Sequence, residues 1–186
     1  MKPIGPVNGL YPMPTTLVGT TVNEKPNIIT IAHVGIMNHG TPQYISLGMA
    51  KAHYTNAGIR ENQTFSVCLP SEALMVETDY CGIMTGKKTD KAALFDLFYG
   101  ELETAPMIRQ CPVCMECRLD RTFDFETHDV FIGEIVETYV DESMLTEGKI
   151  DIGKVRPLLF DMSRIQYFSL GEPIGKCWNV GKRLKK

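Results

Sequence analysis

Short runs of apolar and β-branched residues alternate with polar breaks along the first third of the chain. Residues 14–22 (PTTLVGTTV) and residues 26–34 (PNIITIAHV) are two such runs, and a polar break at residues 23–25 separates them. Runs of this length and composition between turn-forming residues are typical of β-strands. The pattern therefore predicts that the chain begins with a β-hairpin.

The next segment predicts one further strand, a short helix and a return to strand. Residues 43–49 (QYISLGM) follow a loop that contains glycine and proline, which marks a turn before the strand. Thr55 is suited to cap a short helix at residues 56–61, because a threonine oxygen can accept a hydrogen bond from a free N–H group of the first turn. Residues 64–69 (TFSVCL) then show the alternation of a strand.

The middle of the chain predicts two helices. Ser71 is a candidate N-cap, and the helix that follows it would turn Leu74, Met75 and Cys81 towards the core. A second helix is predicted at residues 90–98 (DKAALFDLF), after a loop punctuated by glycine.

The second half of the chain returns to strands. Residues 113–127 and 130–140 predict long antiparallel strands joined near residues 126–129, and residues 156–160 and 164–170 predict shorter ones. The helices are inserted around the middle and do not alternate with strands, which argues against a doubly wound parallel sheet. The order predicts a mainly β fold with inserted helices: a Greek-key-like antiparallel barrel in one domain that spans residues 1–186.

Composition narrows the function classes. The formal net charge of -3 gives no broad electrostatic case for binding nucleic acid. No stretch approaches the roughly 20 apolar residues that cross a bilayer, and the proline-rich first residues do not resemble a signal peptide. We therefore expect a cytoplasmic protein without nucleic-acid or membrane partners, whose six cysteines are reduced thiols or metal ligands.

Five short segments carry a more specific signal when they are taken in order. They are TLVGT at residues 16–20 with NIITIA at 27–32, Tyr54-Thr55 with Ile59 and FSV at 65–67, CGIMTG at 81–86 with Asp90-Lys91, His128 with GEI at 133–135, and an ending that includes Pro157-Leu158, Tyr167 and Val180-Gly181-Lys182. In this order they resemble the flavin-reductase-like family, and most closely its flavoredoxin branch. The resemblance implies an FMN-binding split β-barrel, a homodimer, FMN as cofactor, and either NAD(P)H as a small-molecule electron donor or a redox partner protein.

The flavin phosphate has a candidate site where a strand is followed by a helix. Lys51, His53, Tyr54 and Thr55 would bring a cation, hydroxyls and free helical N–H groups to one anion. The family usually has Arg or Lys at the position of His53, so the resemblance shifts the charge to Lys51. The plain alternative is a solvated and capped helix start.

The resemblance assigns the flavin ring and ribityl chain to the end of the second strand. The residues in question are Asn27, Thr30, Ile31, Ala32, His33 and Val34. Many relatives carry an aromatic residue at the position of His33, whereas a structural histidine is the alternative here.

Four further residues complete the implied site. Thr85, Gly86 and Lys91 stand for the Ser-Gly and Asp-Lys of the flavoredoxin branch, although Asp90 as a cap and Lys91 as a surface charge are the alternative. The family often places a histidine at the position of His128 beside the electron donor, where it would orient the donor or supply a proton. A turn histidine without a role remains open.

Cys111, Cys114 and Cys117 form a C-x2-C-x2-C run whose spacing is similar to that of iron–sulfur proteins, but the position of a fourth cysteine holds Arg121. On a strand, Cys111 and Cys117 would share one face and Cys114 the other, which disfavours a common metal. Buried small hydrophobic residues are the favoured interpretation, and a redox-active thiol is the alternative. A metal-binding module and a flavin-free scaffold stay open as alternative functions of the whole protein.

Overall fold

The computed structural model describes residues 1–185. Strand residues make up 41% of the chain and helical residues 19%, so the protein is mainly β, as predicted. In chain order the strands are β1 Met13–Pro14, β2 Thr16–Val22, β3 Lys25–Ile31, β4 Val34–Asn38, β5 Tyr44–Ala50, β6 Thr64–Leu69, β7 Leu97–Phe98, β8 Met107–Ile108, β9 Val113–Asp124, β10 His128–Val140, β11 Leu145–Thr146, β12 Lys149–Ile150, β13 Leu159–Asp161 and β14 Gln166–Phe168.

Helical structure is confined to the connections between strands. The helices are α1 Thr55–Asn62, α2 Met75–Ile83 and α3 Ile152–Val155, with 3-10 turns at Glu72–Leu74, Ala92–Leu94, Glu142–Met144 and Val180–Leu184. Across residues 1–185, no helix is long and apolar enough to cross a membrane.

Seven strands form one antiparallel sheet in the order β3-β2-β6-β9-β10-β5-β4. The long hairpin β9–β10 forms its centre, with Asp129 opposite Asp124 at one end and Val140 opposite Val113 at the other. Strands from both ends of this order contribute side chains to the same core, so the sheet curls around it. The prediction of an antiparallel barrel-like fold is confirmed.

Consecutive residues of β2 and β3 face two different cores. The barrel core lies inside the curled sheet and contains Val18, Ile29 and Phe65, whereas a second core, outside the sheet, contains Leu17 and Ile28. Strands buried on both faces have near-continuous apolar runs, which explains why the sequence of β2 lacks a clean polar face. The remaining members of the second core are Cys68, Cys81, Ala92, Met107, Ile108, Cys111 and Cys114.

Gly133 in β10 allows the tightest approach inside the barrel. A Cβ atom at this position would overlap the ring of Phe65, which is fully buried. The absence of a side chain therefore lets a large aromatic ring fill the barrel core.

The predicted helix at residues 90–98 is wrong. The structure has a single 3-10 turn at Ala92–Leu94, followed by the short strand β7. Asp90 accepts hydrogen bonds from the backbone N–H groups of Ala92 and Ala93, so it caps one turn only. The backbone of Phe95 is already extended, because Leu97 and Phe98 pair with β8.

The predicted second strand, residues 26–34, is in fact divided. β3 ends at Ile31, and β4 begins at Val34 and pairs with β5 in a separate position at the far edge of the sheet. The two residues between these strands, Ala32 and His33, therefore belong to neither strand.

The predicted helix caps are also corrected. Tyr54 is the N-cap of α1, and neither Tyr54 nor Ser71 makes a side-chain cap hydrogen bond. Met75, which was predicted to face the core, is 45% exposed, whereas Cys81 is buried as predicted.

Candidate functional site

A cavity of about 400 Å³ lies where the end of β3, β5 and the start of β10 meet helix α2 and the C-terminal strands. Its lining includes His33, His53 and His128, and we call it the histidine cavity. Three histidines of the four in the chain therefore converge on one concave surface, although they are far apart in sequence.

The strand pairing fixes the position of each histidine. His128 is the first residue of β10 and lies opposite Ala50 of β5. The backbone carbonyl of Ala50 also accepts a hydrogen bond from the N–H group of His53 at 3.0 Å, and the carbonyl of His33 accepts one from Gly48 at 2.7 Å. β5 and the turn that follows it thus hold all three residues around the cavity.

The surroundings of His33 and His53 keep their imidazoles neutral. Burial lowers the pKa of both side chains, and the nearby His128 lowers them further. The rings of His33 and His128 are 6.2 Å apart between centroids, and the hydroxyl of Tyr11 is 2.7 Å from Nε2 of His33. At neutral pH the cavity therefore offers hydrogen-bonding groups more than positive charge.

Two residues of this lining have buried polar atoms without a partner. They are Nδ1 of His53 and Oγ1 of Thr15, which make no hydrogen bond within the described part of the chain. Buried polar atoms are rarely left unsatisfied in folded proteins. Their hydrogen-bonding capacity fits a bound ligand that has a polar edge.

A second pocket, of about 410 Å³, lies further along β3, and we call it the lysine pocket. Four lysines line it together with Asn27, Tyr54 and Gly86: Lys25, Lys87, Lys88 and Lys91. Asn27 lies on the same strand as Thr30 of the histidine cavity, and Tyr54 follows His53 directly, so the two pockets are neighbours. Such a concentration of cations suits an anionic group such as a phosphate.

The polar lining of the lysine pocket is held in place by internal hydrogen bonds. Asn27 Nδ2 donates to Thr55 Oγ1 at 2.7 Å, and a Cβ atom at Gly86 would overlap Oδ1 of Asn27. Lys91 is only 3% exposed, and its ammonium group donates to the carbonyls of Cys81 and Met84, both at 2.9 Å. Burial lowers the pKa of Lys91. Its interpretation as a surface charge is therefore wrong.

The structure brings most of the predicted site residues together. Thr30, Ile31, Ala32, His33, His53 and His128 line the histidine cavity. Asn27, Tyr54, Gly86 and Lys91 line the lysine pocket. Thr55 is buried beside Asn27. The remaining three, Val34, Lys51 and Thr85, line neither pocket.

Lys51 belongs to an ion network on another surface. Its ammonium group pairs with Asp124 and, at 3.2 Å, with the buried Asp129, which also pairs with Arg60 at 2.7 Å. The hydrogen bond to Asp124, above all, raises the pKa of Lys51. Its predicted contact with a cofactor stays a prediction that this pairing does not favour.

Sequence reasoning missed Tyr11 and Phe160, which come from the two ends of the chain, although it had singled out Tyr167. Tyr11 reaches His33, and Phe160 lines the same cavity beside Tyr167. Tyr167 donates a hydrogen bond to Asp79 of α2 at 3.0 Å, and burial together with this bond raises the pKa of Tyr167 to about 12. Tyr11 lies in a proline-rich segment without periodicity, so no local pattern indicated that it would reach the cavity.

The three cysteines of the C-x2-C-x2-C run are divided between the two cores. Cys111 and Cys114 lie in the second core and Cys117 in the barrel core, so the expected shared face of Cys111 and Cys117 is wrong. The reason is that β9 begins only at Val113, which leaves Cys111 in the preceding turn. Throughout residues 1–185, no group of three or more His, Cys, Asp or Glu side chains has an arrangement that could hold a metal ion.

The chain belongs to the flavin reductase-like family, because its residues 8–169 match the flavin reductase like domain. An uncharacterized protein from Archaeoglobus fulgidus is 30% identical over 145 residues, which cover 77% of this chain and 80% of that protein.

Solved structures give the more detailed comparison. Flavoredoxin from Methanosarcina acetivorans is 42% identical, with a TM-score of 0.94 and coverage of 99% of this chain and 100% of that one. Flavoredoxin of Desulfovibrio vulgaris (Miyazaki F) is 36% identical, with a TM-score of 0.90 and coverage of 98% and 100%. Nitrilotriacetate monooxygenase component B from Bacillus cereus, at 20% identity and a TM-score of 0.81 over 90% of this chain and 89% of that one, shares the fold.

Proposed function

We propose that this protein binds FMN in the histidine cavity and the adjoining lysine pocket, and that it acts as a flavoredoxin-type electron-transfer protein. One observation carries the proposal: a polar cavity with unsatisfied buried groups adjoins a cationic pocket, in a chain that is 42% and 36% identical to two flavoredoxins over nearly its whole length. The predicted homodimer and NAD(P)H dependence belong to the same proposal and need separate tests.

The lysine pocket suits the phosphate end of FMN. Lys25, Lys87 and Lys88 would neutralise the dianion, while the bond between Asn27 and Thr55 keeps the floor of the pocket in one conformation. Lys91 would contribute positive charge without a direct bond to the phosphate, because its ammonium group already donates to two backbone carbonyls and is fixed in position.

The histidine cavity suits the ring end. The backbone of Thr30, Ile31 and Ala32 would contact the polar edge of the ring where β3 ends, and the neutral His53 has a nitrogen free to bond it. When bound, the flavin supplies the exchange of electrons between one-electron and two-electron partners. The protein holds the ring and excludes water from one side.

His128 is the candidate for positioning an electron donor or holding a proton. Its ring is half-buried, and Nδ1 lies 2.8 Å from the hydroxyl of Thr127, which restrains its orientation at the start of β10. A restrained imidazole at the open side of the cavity can donate or accept a hydrogen bond without a large reorganisation.

Titration of the flavin-free protein with FMN tests the proposal directly. We expect the absorption bands of FMN to shift and its fluorescence to change on binding, and His53→Ala to weaken the affinity about fivefold to tenfold, since one hydrogen bond contributes roughly 1 kcal/mol. His39→Ala is the matched control, because His39 is exposed in the loop after β4 and should leave the affinity unchanged. A protein that neither carries nor binds FMN would overturn the proposal.

Steady-state oxidation of NADH and NADPH separates a flavin reductase from an electron carrier. Turnover with free FMN, reduced in His128→Asn and unchanged in His39→Asn, is expected of a reductase. Bound flavin without any turnover, in a protein that still accepts electrons from a reduced protein partner, would identify a carrier and exclude the reductase.

A further inference from the structure

Aromatic side chains from the two ends of the chain pack together beside the histidine cavity. Phe160 and Tyr167 line the cavity, and their ring centroids are 5.8 Å apart. The ring of Tyr11 meets that of Phe160 edge to face, with centroids 6.2 Å apart. Strand β1 begins two residues after Tyr11 and pairs with β13, so that Met13 lies opposite Phe160. This pairing and the ring contact hold Tyr11 in place, although its own segment is irregular.

His33 contacts this aromatic group through one ring nitrogen only. The hydroxyl of Tyr11 is 2.7 Å from Nε2 of His33. The other ring nitrogen, Nδ1, makes no hydrogen bond within residues 1–185, yet it is not one of the buried atoms that lack a partner. It therefore keeps contact with solvent, on a residue that lines the cavity. A bound ligand can use Nδ1, because Tyr11 occupies Nε2.

The hydroxyl of Tyr11 decides where His33 carries its proton. The imidazole of His33 is neutral, because burial and the nearby His128 lower its pKa. A neutral imidazole has one N–H donor and one bare acceptor nitrogen. That nitrogen is a stronger acceptor than a phenol oxygen, whose lone pair is drawn into the ring, so the hydroxyl donates and Nε2 is the bare nitrogen. The proton of His33 then lies on Nδ1.

We propose that Tyr11 is a positioning residue that holds the proton of His33 on Nδ1, so that His33 offers an N–H donor to the flavin ring. The inference rests on the proposed function and extends it, because it gives His33 a part in setting the reduction potential of the bound flavin. No bond of the protein forms or breaks, and the electrons come from the donor of the proposed function.

The tautomer of His33 determines the direction of the effect. A hydrogen bond donated to a group becomes stronger when that group becomes more negative, as a flavin ring does on reduction. An N–H group on Nδ1 therefore favours the reduced ring over the oxidised one. With the proton on Nε2, the lone pair of Nδ1 would face the ring and would favour the oxidised form.

The first test needs no flavin. The flavin-free protein is labelled with ¹⁵N in its four histidines, and long-range ¹H–¹⁵N NMR spectra at about pH 8 distinguish a protonated from a bare ring nitrogen. The signals that are missing in His33→Phe identify those of His33. We expect the proton on Nδ1 in the unaltered protein and mostly on Nε2, the form that a histidine side chain prefers in water, in Tyr11→Phe. A proton on Nε2 in the unaltered protein would overturn the inference.

The second test compares the affinities for oxidised FMN and for FMN reduced anaerobically with dithionite. Tyr11→Phe should weaken the binding of reduced FMN about tenfold more than that of oxidised FMN, which corresponds to a fall of about 30 mV in the two-electron potential of the bound flavin. Tyr167→Phe is the matched control, because the hydroxyl that it removes from the same aromatic group bonds Asp79 and no histidine. It should leave the ratio of the two affinities unchanged.

A double variant shows whether Tyr11 acts through His33. In a His33→Phe background, Tyr11→Phe should no longer change the ratio of the two affinities. Equal weakening of both forms by Tyr11→Phe alone would indicate a merely structural role and would overturn this inference while the proposed function stands. A protein that binds FMN in neither form would overturn the proposed function, and the effect on the potential with it.

Discussion

The histidine cavity, of about 400 Å³, and a cavity of about 350 Å³ that Cys111 lines, which we call the thiol cavity, are similar in volume, but the ionisable groups beside them respond differently to burial. In the histidine cavity burial lowers the pKa of His33 and His53, so the charged form is lost. Behind the thiol cavity Cys114 lies in the second core, and interactions with Cys111 and Cys68 lower its pKa against the effect of burial. Burial alone therefore does not set the charge of a site, because the neighbouring donors decide whether it survives.

The two cavities also rest on different cores. The barrel core lies inside the curled sheet beneath the histidine cavity, and the second core lies on the outer face of the same strands beneath the thiol cavity. Neighbouring residues such as Leu17 and Val18 serve one core each. The four predictions below test how far the two cores and the cavities above them are independent of each other.

The largest difference is expected from deletions in the two cores. Phe65→Ala should lower the free energy of unfolding by about 3 to 5 kcal/mol, because it empties the centre of the barrel. Cys68→Ala removes a single buried sulfur and should lower it by only about 1 kcal/mol. Urea unfolding measures both, and equal losses would contradict an effect that follows the buried volume of the side chain removed.

Gly86→Ala should affect only the lysine pocket. The added methyl group would displace the side chain of Asn27 from Thr55, so the affinity for FMN is expected to fall at least about tenfold, or roughly 1.4 kcal/mol. A Cβ atom at Gly171 meets no atom within 4 Å, which makes Gly171→Ala the matched control. An undiminished affinity in Gly86→Ala, measured by fluorescence titration, would remove the lysine pocket from the site.

Tyr11→Phe should weaken the contact between Tyr11 and the histidine cavity. The loss of the 2.7 Å contact with His33 is expected to lower the free energy of unfolding by about 1 kcal/mol. Tyr167→Phe should have a smaller effect, because its acceptor Asp79 is exposed to water. Water that reaches His33 in Tyr11→Phe should move the pKa of His33 back towards its ordinary value, which NMR titration would detect, and an unmoved pKa would contradict this role of Tyr11.

The smallest effect is a dependence of stability on pH. Because the pKa values of His33 and His53 are lower in the folded state, the unfolded chain binds protons first as the pH falls below about 6.5, and stability falls there. Above that pH both states are neutral and the two histidines contribute no slope. His33→Gln with His53→Gln should flatten this part of the profile, which urea unfolding at a series of pH values would measure.

A second pH window belongs to Asp129 and serves as an internal control. Burial by itself raises the pKa of Asp129, but hydrogen bonds from Arg60 and Lys51 outweigh burial, and the net pKa is lowered. The stability that it contributes is present above about pH 3.8 and is lost as the pH falls further. A profile that lost both windows in the histidine double variant would indicate a general loss of structure.

The strands were predictable because they depend on local pattern, and the candidate site residues were named by the resemblance of short motifs to a known family. The hairpin of β2 and β3 and the long pair β9–β10 follow from β-branched runs between turn residues. The order of short motifs identified the family, and the resemblance named ten residues that line the histidine cavity and the lysine pocket. Residues 90–98 failed because the pairing of β7 with β8 overrides a helical composition.

The sequence by itself determined which segments extend and which residue types can bind a phosphate or a flavin ring. Only the tertiary structure decided that Lys51 is paired with Asp124 and Asp129, that Lys91 is buried, and that Cys68 lies opposite Cys114. Each of these depends on contacts between residues distant in sequence, which strand register creates and which no local periodicity records. The charge of a site therefore depends on residues that are close in space, which can be far apart in the sequence.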